Sequence, residues 1–309
     1  MKKWLLALMM VGALIFTVAC SLDSPTDDGA KDEGTDTKDS SEEIVVGFSI
    51  STLNNPFFVT LADGAEDKAN ELGIEIRTID AQDDVSKQIS DVEDLIQQKV
   101  DVILINPTDS SSVGTAVESA NAAGIPVITV DRESESGEVA VHVASDNVAG
   151  GELAGELMVE LLGEGSTVAI LEGVPGSSSA RERGEGFNNI ASEKLEVATS
   201  QTANFNRSEG LTVMENMLRS NPEIQGVFAH NDEMALGALE AVEAANKDIV
   251  IIGFDATDDA VEAVENGRLA GTIAQQPVLI GVEAIEAAFK LAKGEEVESF
   301  IPVELQVIR

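Results

Sequence analysis

The chain has 309 residues, enough for two ordinary domains, and 43% of them are apolar, enough to fill real cores. A formal charge of −37 argues against nucleic-acid binding and against a basic patch for an anionic membrane surface. Cys20 is the only cysteine, so no disulfide forms within the chain.

Lys2 and Lys3 precede an apolar run from Trp4 to Val18, the length of a signal-peptide core and short for a membrane span. The run ends at Ala19 and Cys20. It resembles a bacterial lipoprotein signal, so residues 1–20 are expected to be a leader cleaved before Cys20, whose thiol takes acyl chains. At roughly 0.8 kcal/mol per buried methylene, two or three chains anchor a protein durably. Residues 21–43 carry nine acids, two lysines and almost nothing apolar. Such a segment buries too little surface to offset chain entropy, and reads as a disordered tether spanning about 25–30 Å.

From Ile44 onward, strand-like and helix-like runs alternate. The strand candidates in the first half are IVVGFSI (44–50), IEIRTID (74–80), VDVILIN (100–106), PVITVD (126–131) and VAVHVAS (139–145). The second half has TVAILEG (167–173), VATSQTA (197–203), GVFAHND (226–232), IVIIGFD (249–255) and AGTIAQ (270–275). Near-continuous Val/Ile runs predict parallel strands covered on both faces by helices. Ten strands are many for one sheet, so two doubly wound α/β lobes are expected.

Ligands of open α/β sheets sit at the carboxyl ends of strands. Asn55 follows the first strand, Asn106 ends the third, and Asp131 and Arg132 end the fourth. Asn231 and Asp232 follow VFAH, Phe254 and Asp255 end VIIGFD, and Gln275 ends GTIA. Asn and Asp at such turns also cap helices, and Asp109 and Asp258 fit that role better. A cap needs only a small acceptor, which does not account for Arg, Gln and Phe at these ends. Evident catalytic apparatus is missing. There is no P-loop, and Gly150, Gly151 and Gly155 lack dinucleotide spacing and suit close packing. The GSSSARERGEGF stretch has no nucleophile elbow. His142 and His230 have no partner at metal-ligand spacing. Recognition of a neutral polar molecule remains. Planar Asp, Asn, Gln and Arg groups pair with vicinal hydroxyls, and aromatic faces cover a sugar ring. Beyond the leader the chain has no Trp or Tyr, so phenylalanine must supply those faces. In STLNNPFF, Asn55 offers hydrogen bonds, Pro56 starts a helix, and Phe57 and Phe58 present rings.

STLNNPFF, LINPTDS, PVITVDR, ASDNVAGG, SSARERGEGF, FAHNDEMALGAL, GFD and TIAQ together resemble the ribose-binding proteins of bacterial ABC sugar import, from Ile44 to the C-terminus. The resemblance implies a type I periplasmic-binding-protein fold, two Rossmann-like lobes joined by a three-segment hinge. Its lobes would be 44–145 with 276–302, and 146–275 with 303–309. It implies sugar contacts from Asn55, Asn106, Asp131, Arg132, Arg183, Asn231, Asp255 and Gln275. Phe57 and Phe58 would cover one ring face and Phe205 the other, with Phe254 lining the pocket beside Asp255. Arg181 is expected to be a surface or structural residue. Ser145, Asp146, Gln276 and Pro302 would mark the hinge. His230 stands where glutamine is expected, pointing off the site. The implied protein is a monomeric, extracytoplasmic receptor without cofactor, metal or catalytic residues. It would be held to the membrane only through Cys20 and would deliver D-ribose to an ABC permease. Another pentose, allose or a small polyol is the nearest alternative. A sugar-sensing regulator of the same fold would need a DNA-binding helix where this chain has a leader and tether, and enzyme activity is the weakest reading.

Overall fold

The computed structural model describes residues 44–309; the leader, Cys20 and the tether lie outside the described residues. The first half runs β1 (Val45–Ile50), α1 (Pro56–Leu72), β2 (Glu75–Asp80), α2 (Val85–Gln97), β3 (Val102–Ile105), α3 (Gly114–Ala122), β4 (Val127–Val130) and β5 (Val141–Ser145). The second half runs α4 (Asn147–Leu162), β6 (Thr167–Glu172), α5 (Ser178–Lys194), β7 (Glu196–Thr202), α6 (Arg207–Ser220), β8 (Gly226–Ala229), α7 (Asp232–Ala244), β9 (Val250–Asp255), α8 (Asp258–Glu265) and β10 (Gly271–Ala274). It ends with α9 (Pro277–Ala292), β11 (Phe300–Val303) and β12 (Gln306–Ile308).

Two six-stranded sheets form, in the orders β11-β5-β4-β3-β1-β2 and β12-β10-β9-β8-β6-β7. Every pair is parallel except β10 with β12. This is the two-lobed α/β architecture expected from the Val/Ile runs, and the period of two explains why both faces are covered. Val46, Phe48 and Ile50 face α1 and α9, while Ile103 and Ile105 face α2 and α3. In the second lobe Ala169 and Leu171 face α6 and α7, while Val168 and Ile170 face α4 and α5.

The chain crosses between lobes three times. It passes from β5 into α4 at Ser145–Asp146, and from β10 into α9 at Gln275–Gln276. The last crossing falls at Glu304–Leu305. Pro302 lies just before it, inside edge strand β11 and opposite Ala144, rather than in the crossing itself. An edge position suits a residue with no N–H to donate. Gln276 Nε2 donates to Glu304 O at 2.9 Å, tying the second crossing to the third. Away from the crossings the lobes also touch directly. Ser110 N donates to Gly176 O at 2.8 Å, Ser178 N to Ser110 Oγ at 3.1 Å, and Glu133 N to Ser178 Oγ at 2.9 Å.

The glycines of α4 pack closely, as their lack of nucleotide spacing predicted. A Cβ on Gly151 would collide with the backbone of α5 at Arg183, and one on Gly186 with Val148. Close backbone approach therefore fixes α5, the helix that carries Arg183, against α4.

Candidate functional site

The first lobe reaches the gap between lobes through the starts of its helices and the ends of its strands. Asn55 caps α1, its Oδ1 accepting from Phe57 N at 3.0 Å, and Pro56 takes the first helical position. That turn aims two adjacent rings, Phe57 and Phe58, which meet edge-on at 5.3 Å. Both are almost fully buried, and both form part of a cavity wall as well as of the core. Asp131 follows β4 at φ 62, a left-handed conformation that turns its carboxylate off the strand line. Arg132 Nη1 donates to Pro107 O at 2.9 Å. Its guanidinium lies 5.0 Å from the Phe58 ring centre and 5.3 Å from that of Phe205, so it is held between a ring of each lobe.

The second lobe supplies the other wall. Arg183 Nε donates to Asn147 Oδ1 at 2.8 Å and Nη1 to His230 O at 2.7 Å. Its guanidinium stacks 3.9 Å from the Phe254 ring centre. Three anchors thus fix one cation. Asp255 Oδ1 accepts from Gln275 Nε2 at 2.9 Å and lies 3.6 Å from Arg183 Nη1. Asn231 caps α7 through Oδ1 and donates from Nδ2 to Phe205 O at 3.3 Å. Phe205 itself stands at φ 57 on the turn before α6.

Asn55, Phe57, Phe58, Asp131, Arg132, Arg183, Phe205, Asn231, Asp255 and Gln275 line one narrow cavity between the lobes. Asp131, Arg132, Arg183, Asn231, Asp255 and Gln275 are each at most 5% exposed. Two acids and two guanidiniums balance formally, so the cavity suits an uncharged guest. Its polar atoms are nonetheless incompletely paired: Asp131 Oδ1, Arg132 Nε and Gln275 Oε1 have no hydrogen-bond partner. Arg183 Nη2 stands 3.8 Å from Asp131 Oδ1 and Arg132 Nε 3.6 Å from Asp131 Oδ2, beyond hydrogen-bond reach. Buried groups left in this way are costly unless something between them supplies donors and acceptors. Burial pushes the Asp255 carboxyl well above its usual range, opposed by the Arg183 charge; burial lowers Arg132. A guest that donates to Asp255 and accepts from Arg132 would offset the desolvation of both charged forms.

Two of the expected contacts stand off the wall. Asn106 accepts from Ser51 N at 3.2 Å and Ser51 Oγ at 2.6 Å, and donates to Val130 O at 3.0 Å. It ties the ends of β1, β3 and β4 together and carries Asp131 indirectly. Phe254 is fully buried beneath Arg183, supporting the guanidinium from behind. Ser179, unforeseen, lines the cavity; its place four residues before Arg183, on the same face of α5, was the available signal. Asp109 accepts from Ser111 N and Ser112 N, as a turn cap does, whereas Thr257 rather than Asp258 occupies the cap position of α8. His230 turns away, its Nδ1 accepting from Gly173 N at 3.3 Å. Arg181 lies at the surface, paired with Glu135 of the other lobe at 2.6 Å. Among the described residues no cluster of metal-ligating side chains occurs, and no helix is long and apolar enough to cross a membrane.

The comparisons agree with this geometry. A model of the periplasmic binding protein domain matches residues 46–296. The ribose import binding protein RbsB of Bacillus subtilis is 53% identical over 307 residues, covering 99% of both chains. RbsB of Escherichia coli is 49% identical over 265 residues, covering 85% of this chain and 90% of its own. Among solved structures, an ABC transporter solute-binding protein from Mycobacterium smegmatis with bound glycerol superposes with a TM-score of 0.83 at 36% identity, covering 86% of this chain and 94% of its own. One from Actinobacillus succinogenes with bound D-allose gives 0.81 at 32%, covering 86% and 97%. With two doubly wound lobes, three crossings and a polar cavity between them, the chain belongs to the periplasmic binding protein domain family.

Proposed function

We propose that this protein captures D-ribose between its two lobes outside the cytoplasm and hands it to an ABC permease, and that it is a receptor rather than an enzyme. The carrying observation is the charge-balanced cavity with unpaired polar atoms from both lobes, in a chain about half identical to ribose import binding proteins.

The sugar is gripped by its edge and covered on its faces. Asp131, Arg132, Arg183, Asn231, Asp255 and Gln275 bond its hydroxyls, with Asn55 at the rim. Phe57 and Phe58 lie against one face and Phe205 against the other. Asn106 and Phe254 act from behind, holding Asp131 and Arg183. Charge-assisted hydrogen bonds contribute about 1.5–3 kcal/mol each, against desolvation and the guest's lost freedom. Discrimination comes from hydroxyls missing or inverted, which strand buried groups without partners. The lobes pivot at Ser145–Asp146, at Gln276 and just beyond Pro302. The closed form is the shape presented to the permease, with Cys20 as the lipid anchor.

Calorimetric titration with D-ribose is expected to give a dissociation constant of about a micromolar or tighter, near −8 kcal/mol. The same titration with allose, arabinose and myo-inositol tests the nearest alternatives. No heat with ribose, beside clear binding of another sugar, rejects the ribose assignment.

A further inference from the structure

We infer that Asp232 is a positioning residue for Asp255 and Gln275, acting through Thr257 and Thr272; the inference rests on the sugar-binding reading of that pair. Asp232 is fully buried yet does not line the cavity. Its neighbour Asn231 already caps α7, so capping does not explain a second acid there. The Asp232 carboxylate instead gathers three donors from two other segments. Oδ1 accepts from Thr272 Oγ1 at 2.7 Å. Oδ2 accepts from Thr257 N at 2.8 Å and from Thr257 Oγ1 at 3.2 Å. Thr272 Oγ1 in turn accepts from Ala256 N at 3.2 Å.

These bonds hold down a backbone that would otherwise relax. Asp255 stands at φ 120 and Ala256 at φ 56, conformations that L side chains rarely adopt and that persist only when their surroundings enforce them. Thr272 lies opposite Gly253 in the β9–β10 ladder, and Ala274 lies opposite Asp255. One hydroxyl and one carboxylate therefore fix both the turn after β9 and the strand leading into Gln275. Gly253 makes room: a Cβ there would collide with Asp232 Oδ1. The carboxylate thus sets where the Asp255–Gln275 pair points without meeting the guest.

The test has two arms. In unliganded protein, amide hydrogen exchange is expected to rise at least about tenfold at Ala256 in Thr272→Val, which removes that amide's hydroxyl acceptor, and at Thr257 in Asp232→Ala, which removes its carboxylate acceptor. Thr272→Ser, which keeps the hydroxyl, restores protection. In the second arm, ribose affinity falls about tenfold in Asp232→Asn, but by clearly less when Asp232→Asn is added to Asp255→Asn, since the strut then has only Gln275 left to aim. Unchanged exchange at both amides, or losses that simply multiply in the double variant, overturns the inference. If the Asp232 variants do not fold, Thr272→Val with its Thr272→Ser rescue, crossed with Asp255→Asn, carries both arms. If wild-type protein binds no ribose, the proposed function falls, while the exchange arm still decides the strut and the cycle is run with the sugar that does bind.

Discussion

The two lobes share a frame and differ in chemistry. β4 and β9 occupy the same place in their sheets, and each ends in an acid with positive φ, Asp131 and Asp255, facing Arg183. In the N-terminal lobe a neutral amide, Asn106, braces the strand end by bonding backbone and a serine. In the C-terminal lobe the brace is a carboxylate bonded to two threonines. The rings differ too: Phe57 and Phe58 are core residues of a helix start, whereas Phe205 rides half-buried on a turn. A near-symmetric scaffold is thereby fitted to a guest whose two edges are not alike.

The sharpest way to probe this likeness is to remove its charges. Asp131→Ala and Arg183→Ala each leave an opposing charge buried and uncompensated, a cost of about 3–5 kcal/mol. Calorimetry is expected to show ribose affinity down more than about a hundredfold in both; near-native binding in both would discredit the cavity as the sugar site. Asp255→Ala beside Asp131→Ala then reports whether the two matching acids weigh equally.

The rings come next. Phe205→Ala and Phe58→Ala should each weaken ribose by about threefold to tenfold, the size of one lost aromatic contact. Only Phe58→Ala should also lower the thermal midpoint of unliganded protein markedly, because its ring fills the core as well. Equal midpoint losses would show that Phe205 is structural.

The last comparison separates the two histidines and bears on stability rather than on binding. His230 is pushed down to about 3, first by burial and then by the Arg183 charge. The unfolded chain takes up this proton near 6.5 and the folded chain only near 3, so stability is full above about pH 6.5 and declines as pH falls toward 3. His230→Gln should flatten that decline in denaturant titrations between about pH 4 and 7. His142 is also lowered by burial, but Glu133 and Asp131 oppose the shift, so His142→Gln should flatten it less.

Much of this was legible because strand burial and strand-end chemistry leave direct traces. The Val/Ile runs marked ten strands, while β11 and β12 escaped notice, being short, mostly exposed and carrying Pro302. The planar groups at strand ends marked the cavity, since sheets place ligands there whatever the guest. What a strand end does not disclose is which way its last side chain turns. Asn106 and Phe254 look like Asp131 and Gln275 in sequence, yet turn inward, because a single residue changes the face. Asp232 was hidden for another reason: beside a helix start, a strut is indistinguishable from a cap until its partners, Thr257 and Thr272, are seen.

The balanced quartet of Asp131, Arg132, Arg183 and Asp255 has a kinetic corollary. A chain bearing −37 surrounds itself with a strong field, yet an uncharged carbohydrate is neither drawn in nor repelled by it. Encounter is left to plain diffusion, so uptake by this receptor should proceed at the same pace in dilute medium and in brine.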